Sequence, residues 1–161
     1  MNRRQATLFL TGVPVIDNIR ERFNPAQAKL IAPHVTLIRE DEVDDWKTLG
    51  DRARKLSLPE IALQFGDPRF ENGLLYLPCV GGTAEFDGLR AALLDLPAAR
   101  EHSPHITLIH PRNGTCPDGS FEAISASLES FEHVFPEIAF IEQRNGGVWQ
   151  TLETFPLLKS R

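Results

Sequence analysis

Residues 33–38 read PHVTLI and residues 104–109 read PHITLI, one six-residue phrase written twice, 71 positions apart, with five of six letters shared. Both copies are rich in β-branched residues, which suits a short strand. Successive side chains of a strand alternate faces, so His34 and Thr36 share one face and Val35 and Leu37 the other. His105 and Thr107 likewise stand opposite Ile106 and Leu108. The apolar partners can bury under a helix, leaving an imidazole and a hydroxyl about 6.6 Å apart along each free face. With five histidines in the chain, composition alone gives about 0.1 motifs of the form His-apolar-Ser/Thr-apolar. Two copies with the same flanks are therefore not a chance pattern.

The surroundings repeat as well. In the first half, residues 6–11 (ATLFLT) read as a strand, and an amphipathic run over 16–30 is broken by Pro25. The first motif follows, and then EDEVDDWKTLGDRARKL, whose acids precede its bases as a helix macrodipole prefers; this charge run reads as a solvated helix start. Residues 60–66 and 74–80 read as strands joined around Asn72-Gly73, a favoured hairpin turn. The second half offers a helix (TAEFDGLRAALLDL), the second motif, a helix over 120–131, and two strands, EIAFIEQ and VWQTLETF, around Asn145-Gly146. His34 precedes Asn72 by 38 residues and His105 precedes Asn145 by 40. Two landmarks recurring at nearly one offset point to a duplicated unit of roughly 70 residues. The expected fold is α+β and bilobal: a duplicated unit with two antiparallel sheets, helices on the outer faces and a central groove, forming one domain over residues 1–161.

Bulk properties narrow the function. The chain has 161 residues, 42% apolar and 24% charged, with net charge −5, the profile of an ordinary globular domain. That charge argues against holding long nucleic acid through phosphate neutralisation, but leaves room for a small anion or an RNA end. The opening MNRRQATLFLTGVPV lacks a signal-peptide core and falls far short of the ~20 apolar residues of a membrane span. The chain reads as cytoplasmic, with Cys79 and Cys116 as two reduced thiols.

If the two halves meet about a pseudo-twofold axis, the free faces line one groove holding two histidines and two threonines. Opening a ribose 2′,3′-cyclic phosphate without a metal calls for that set. A base activates water, an acid protonates the departing ribose oxygen, and histidine serves both roles near neutrality. Threonine hydroxyls can hold the non-bridging oxygens as charge develops.

On these residues the chain resembles the two-histidine phosphoesterase superfamily and its 2′-5′ RNA ligase and RNA 2′,3′-cyclic phosphodiesterase branch. Besides the paired motifs, the strand ATLFL, the stretch FENGLLYLPCVG and the closing IEQRNGGVWQTLETFPL resemble that family's blocks in order. The resemblance implies His34 and His105 as the acid/base pair, Thr36 and Thr107 as phosphate holders, and reverse 2′-5′ ligation as a further activity. Many relatives carry Arg three places after the second motif's Thr; this chain has His110 there, and Arg39 in the matching place after the first. That departure bears on substrate choice.

No cofactor and no metal are expected: His102, His105 and His110 do not converge on one strand, and no HExxH or thiol cluster is present. His102 and His133 fall in expected connections and read as solvated. Strict alternation turns Arg39 and His110 away from the groove, unless the strand bends or ends first. Tyr76 and Trp149 read as core aromatics with base stacking as the alternative. The expected partner is an RNA terminus or a small cyclic nucleotide, with no long nucleic acid, no membrane and a monomeric chain. Two readings stay open: a cyclic phosphodiesterase, and a non-catalytic module that binds RNA ends or nucleotides.

Overall fold

The structure is a computed structural model that describes residues 1–159. Its strands are β1 (Asn2–Phe9), β2 (His34–Ile38), β3 (Ile61–Phe65), β4 (Arg69–Glu71), β5 (Leu74–Gly81), β6 (His105–Ile109), β7 (Phe131–Phe135), β8 (Glu137–Arg144) and β9 (Gln150–Pro156). The helices are α1 (Pro14–Phe23), α2 (Pro25–Leu30), α3 (Trp46–Lys55), α4 (Thr83–Leu94) and α5 (Ser120–Ser127), and Glu40–Glu42 makes one short helical turn. Among the described residues no helix is long and apolar enough to cross a membrane.

The class is α+β with antiparallel pairing, as expected. The sheets, however, join into one path in the order β7-β3-β5-β6-β2-β1-β8-β9, with β4 on the outer side of β5. The two lobes meet where β2 and β6 pair antiparallel, so the repeated phrases are neighbours at the centre. Each lobe draws strands from both halves of the chain: β5 lies beside β6 and β3 beside β7, while β8 lies beside β1. Val35, Leu37, Ile106 and Leu108 are buried in one core with Ile16 and Ile19 of α1 and Phe86, Leu89 and Leu93 of α4.

Local chemistry explains most boundaries. Pro14 and Pro25 sit at the first turns of α1 and α2, where a missing N–H costs nothing. Asn72-Gly73 and Asn145-Gly146 both adopt positive φ, the conformation of the tight hairpin turn their sequences favour. The first of these turns joins β5 to the three-residue β4 rather than to β3, a strand too short to carry a periodic signal. β7 was also hidden. The helix expected over 120–131 ends at Ser127, and Phe131–Phe135 turns outward and inward alternately as an edge strand paired with β3.

The acidic run is not a solvated helix start. α3 begins only at Trp46, with Asp45 as its cap accepting the Lys47 N–H at 3.0 Å. Upstream, Glu42 turns inward and forms an ion pair with Arg90, whose side chain is wholly buried. The Arg90 guanidinium also donates to the carbonyls of Leu37 and Arg100. One buried cation thus ties α4 to the end of the first motif strand and to the segment before the second.

Candidate functional site

Val35 lies directly opposite Ile106. That register sets His34 across from Thr107 and Thr36 across from His105, and places the histidines on a diagonal, where Cα neighbours sit about 7–8 Å apart. Burial follows the same sequence along both strands: half-buried His, buried Val or Ile, half-buried Thr, then two buried residues. His34, Thr36, His105 and Thr107 all line one groove of about 500 Å³.

Both imidazoles are oriented in the same way. His34 Nδ1 is 2.8 Å from the Ala32 carbonyl and His105 Nδ1 is 3.0 Å from the Ser103 carbonyl, two residues upstream in each case. A carbonyl can only accept, so Nδ1 carries a hydrogen in each ring and Nε2 is the nitrogen left to act. An aromatic ring from the neighbouring strand stands edge-on to each, Phe9 at 6.2 Å from His34 and Tyr76 at 5.6 Å from His105 between ring centres. Burial pushes His34 down to about 4; the Ala32 carbonyl opposes this, while the charges of Arg20 and His105 add to it.

Arg39 and His110 also line the groove, against the alternation rule, and a matched pair of bulges is the reason. Ala6 pairs with Ile38 but Thr7 pairs with Thr36, so Leu37 is an extra residue in β2. Leu75 pairs with Ile109 but Tyr76 pairs with Thr107, so Leu108 is the extra residue in β6. Each bulge puts two successive residues on the core side, Leu37 with Ile38 and Leu108 with Ile109, all of them buried. The next side chain in each strand is thereby re-aimed at the groove.

His102 is not solvated. It is 8% exposed, its Nε2 donates to the Thr36 carbonyl at 2.9 Å, and its ring stacks on Phe86 at 5.9 Å. β2 and β6 share a single paired position, so the Thr36 carbonyl takes its hydrogen from His102. Burial, with Arg39, Arg90 and His105 nearby, pushes this ring to about 4. His133 lies on β7, half-buried against Phe135. Among the described residues no group of three His, Cys, Asp or Glu could hold a metal ion.

Arginines give the groove its electrostatic character, and most were missed in the sequence. Arg3, Arg4, Arg20, Arg39 and Arg112 line it, against two acids, Glu40 and Asp41. Asp41 is paired with Arg100, and Glu40 accepts the Arg4 backbone N–H. Arg4 is paired with Glu142, Arg20 donates to the Ile31 carbonyl, and Arg3 lies 5.4 Å over the Trp149 ring. Arg39 and Arg112 form no ion pair among the described residues. Arg112 approaches His110 twice, through its backbone N–H at Nδ1 and its guanidinium at Nε2. A neutral imidazole has one lone pair to offer, so the two donors compete and the guanidinium is held weakly. A protein with net charge −5 thus gathers positive charge in one place. The Arg20 signal was readable in advance: it sits on the buried stripe of α1 beside Ile16 and Ile19.

A curled antiparallel sheet whose two central strands each present His-x-Thr to a shared groove is the arrangement of the two-histidine phosphoesterases. The profile of the 2′-5′ RNA ligase superfamily matches residues 11–147. The chain belongs to that superfamily. Solved structures show the same fold. Escherichia coli LigT complexed with NADP+ aligns over 97% of each chain at 16% identity with a TM-score of 0.62. LigT complexed with phosphate aligns over 97% of each chain at 18% identity and 0.61. The conserved protein of unknown function ATU0111 from Agrobacterium tumefaciens aligns over 96% of this chain and 85% of its own at 15% identity and 0.57. No curated protein matches the chain.

Proposed function

We propose that the protein is a metal-independent phosphodiesterase that opens 2′,3′-cyclic phosphates of RNA ends or small nucleotides. His34 and His105 act as its acid/base pair, and Thr36 and Thr107 hold the non-bridging oxygens. The observation that carries this reading is the matched pair of Nδ1 contacts to backbone carbonyls, which leaves two Nε2 atoms free on one groove. Membership of the superfamily and the complexes of LigT with phosphate, ATP and 3′-AMP support a phosphate-bearing nucleotide as ligand. The surplus of arginines suits its charge.

His34 is neutral at neutral pH, since burial holds it near 4, and this fits it to be the base. Its Nε2 takes a proton from water as the water oxygen bonds to phosphorus. The bond from phosphorus to one ribose oxygen breaks, and that oxygen takes the proton from His105 Nε2. The product is a phosphomonoester, and the two rings return to their starting forms by exchange with solvent. With a ribose 5′-hydroxyl in place of water, the same step would join two ends. The hydroxyls of Thr36 and Thr107 strengthen their bonds as negative charge accumulates on the non-bridging oxygens.

The test is turnover of a 2′,3′-cyclic nucleotide with and without a chelator. Wild type should open the ring in both conditions. His34→Ala and His105→Ala should each lose about 10²–10⁴-fold or more, the double variant scarcely more than either, and Thr36→Ala or Thr107→Ala less. The rate should be bell-shaped in pH. Binding without ring opening would favour the non-catalytic module instead, and loss of activity on chelation restored by Zn²⁺ would show the histidines to be misassigned.

A further inference from the structure

The groove does not end at His105. On the far side of that ring a second hollow of about 520 Å³ opens over β5, and Arg39, His102 and His105 line both spaces. Its remaining wall includes Tyr76, Pro78 and Val80 of β5 and Arg69 of β4. Sheet order fixes the relation between the two. The first hollow lies over β6, β2, β1 and the Trp149 region, the second over β6, β5 and β4, and His105 stands at the seam. Two carboxylates, Glu71 and Glu101, share this lining with the two arginines. Val80 is 60% exposed although it sits in a strand, and it stands with Tyr76 and Pro78 in a partly apolar wall. Arg69 is exposed and makes no ion pair among the described residues. Arg39, equally uncommitted, stands at the boundary between the two hollows.

We propose that this hollow is a second nucleoside subsite, so that the preferred ligand is an RNA 3′ terminus of at least two nucleotides rather than a mononucleotide. The inference rests on the reading of the His34–His105 groove as a phosphate site. With the terminal phosphate at the histidines, the next phosphate of the chain meets the Arg39 guanidinium. The penultimate base enters the hollow against Tyr76 and Val80, with Arg69 at its rim. Charge places the backbone and the apolar wall takes the base face, the division of labour by which proteins hold single strands.

Calorimetry with unreactive product-like ligands tests it: adenosine 3′-monophosphate against the dinucleotide ApAp bearing a 3′-phosphate. Wild type should bind the dinucleotide about tenfold more tightly, toward the lower end of what stacking one base on an aromatic ring is worth. Arg69→Ala and Val80→Glu, both outside the phosphate site, should each shrink that ratio toward one while leaving mononucleotide affinity unchanged. Equal affinities in wild type, a ratio that survives both variants, or no binding of either ligand would overturn the subsite. Turnover of the cyclic mononucleotide is scored separately. A tenfold binding preference without any ring opening would sink the catalytic reading and leave the subsite standing, whereas ring opening with equal affinities would do the reverse.

Discussion

His102 offers a quantitative check on how the site is assembled, because burial keeps its ring neutral in the fold. An unfolded histidine titrates near 6.5, whereas burial pushes His102 to about 4 in the folded chain. Between those values the unfolded chain takes up a proton that the folded chain refuses, so stability falls as pH falls through that window and levels off below about 4. With those two constants, moving from pH 7 to pH 5 should cost the fold about 2 kcal/mol from this ring alone. The groups facing it are Arg39, Arg90 and His105. No carboxylate is among them to soften the effect. His102→Gln keeps an amide N–H to donate to the Thr36 carbonyl and removes the titrating ring. Urea unfolding at both pH values, for wild type and variant, reads the difference directly. His34 is depressed as well and should make both proteins less stable at pH 5, but wild type should lose about 2 kcal/mol more than the variant. If the two lose the same amount, His102 is not held neutral by burial.

Two further stability outcomes follow from the same framework. Glu42→Ala leaves the buried Arg90 guanidinium without a counter-charge and should cost about 3–5 kcal/mol in urea unfolding, much of it recovered when Arg90 is also replaced by Met. Gly82 has φ +86° and an added Cβ would collide with the Ala62 carbonyl, so Gly82→Ala should lower the melting temperature clearly, whereas Gly88→Ala, in open space on α4, should raise it slightly.

How much of this was readable in the chain depended on whether the signal was local. The motif strands, the Asn-Gly turns and the break at Pro25 announce themselves, because period, turn conformation and a missing N–H act over a few residues. His34, Thr36, His105 and Thr107 come together because alternation is a rigid rule as far as the threonines. It fails one residue later, at Leu37 and Leu108, where a bulge depends on the register of the neighbouring strand and leaves no mark in the motif itself. Arg39 and His110 were lost for that reason. His102 sits in an irregular segment whose path is set by Phe86 and by a carbonyl 66 residues away in sequence. The acids of residues 40–42 look like a solvated helix start because the buried Arg90 that recruits Glu42 lies 48 positions on. Groove arginines from β1, α1 and the loop after β6 converge only through the sheet order.

That sheet order carries one more consequence. Because β6 of the second half lies between β5 and β2 of the first, β7 beside β3, and β8 beside β1, neither half of the chain can close a lobe alone. Cut between α4 and β6, the molecule would yield two interlocking fragments, each carrying one member of the His34–His105 pair and neither owning a complete sheet. Mixed together, they would have to fold around each other before either could present its imidazole. Assembly of the fold and assembly of the histidine pair are in that sense a single event.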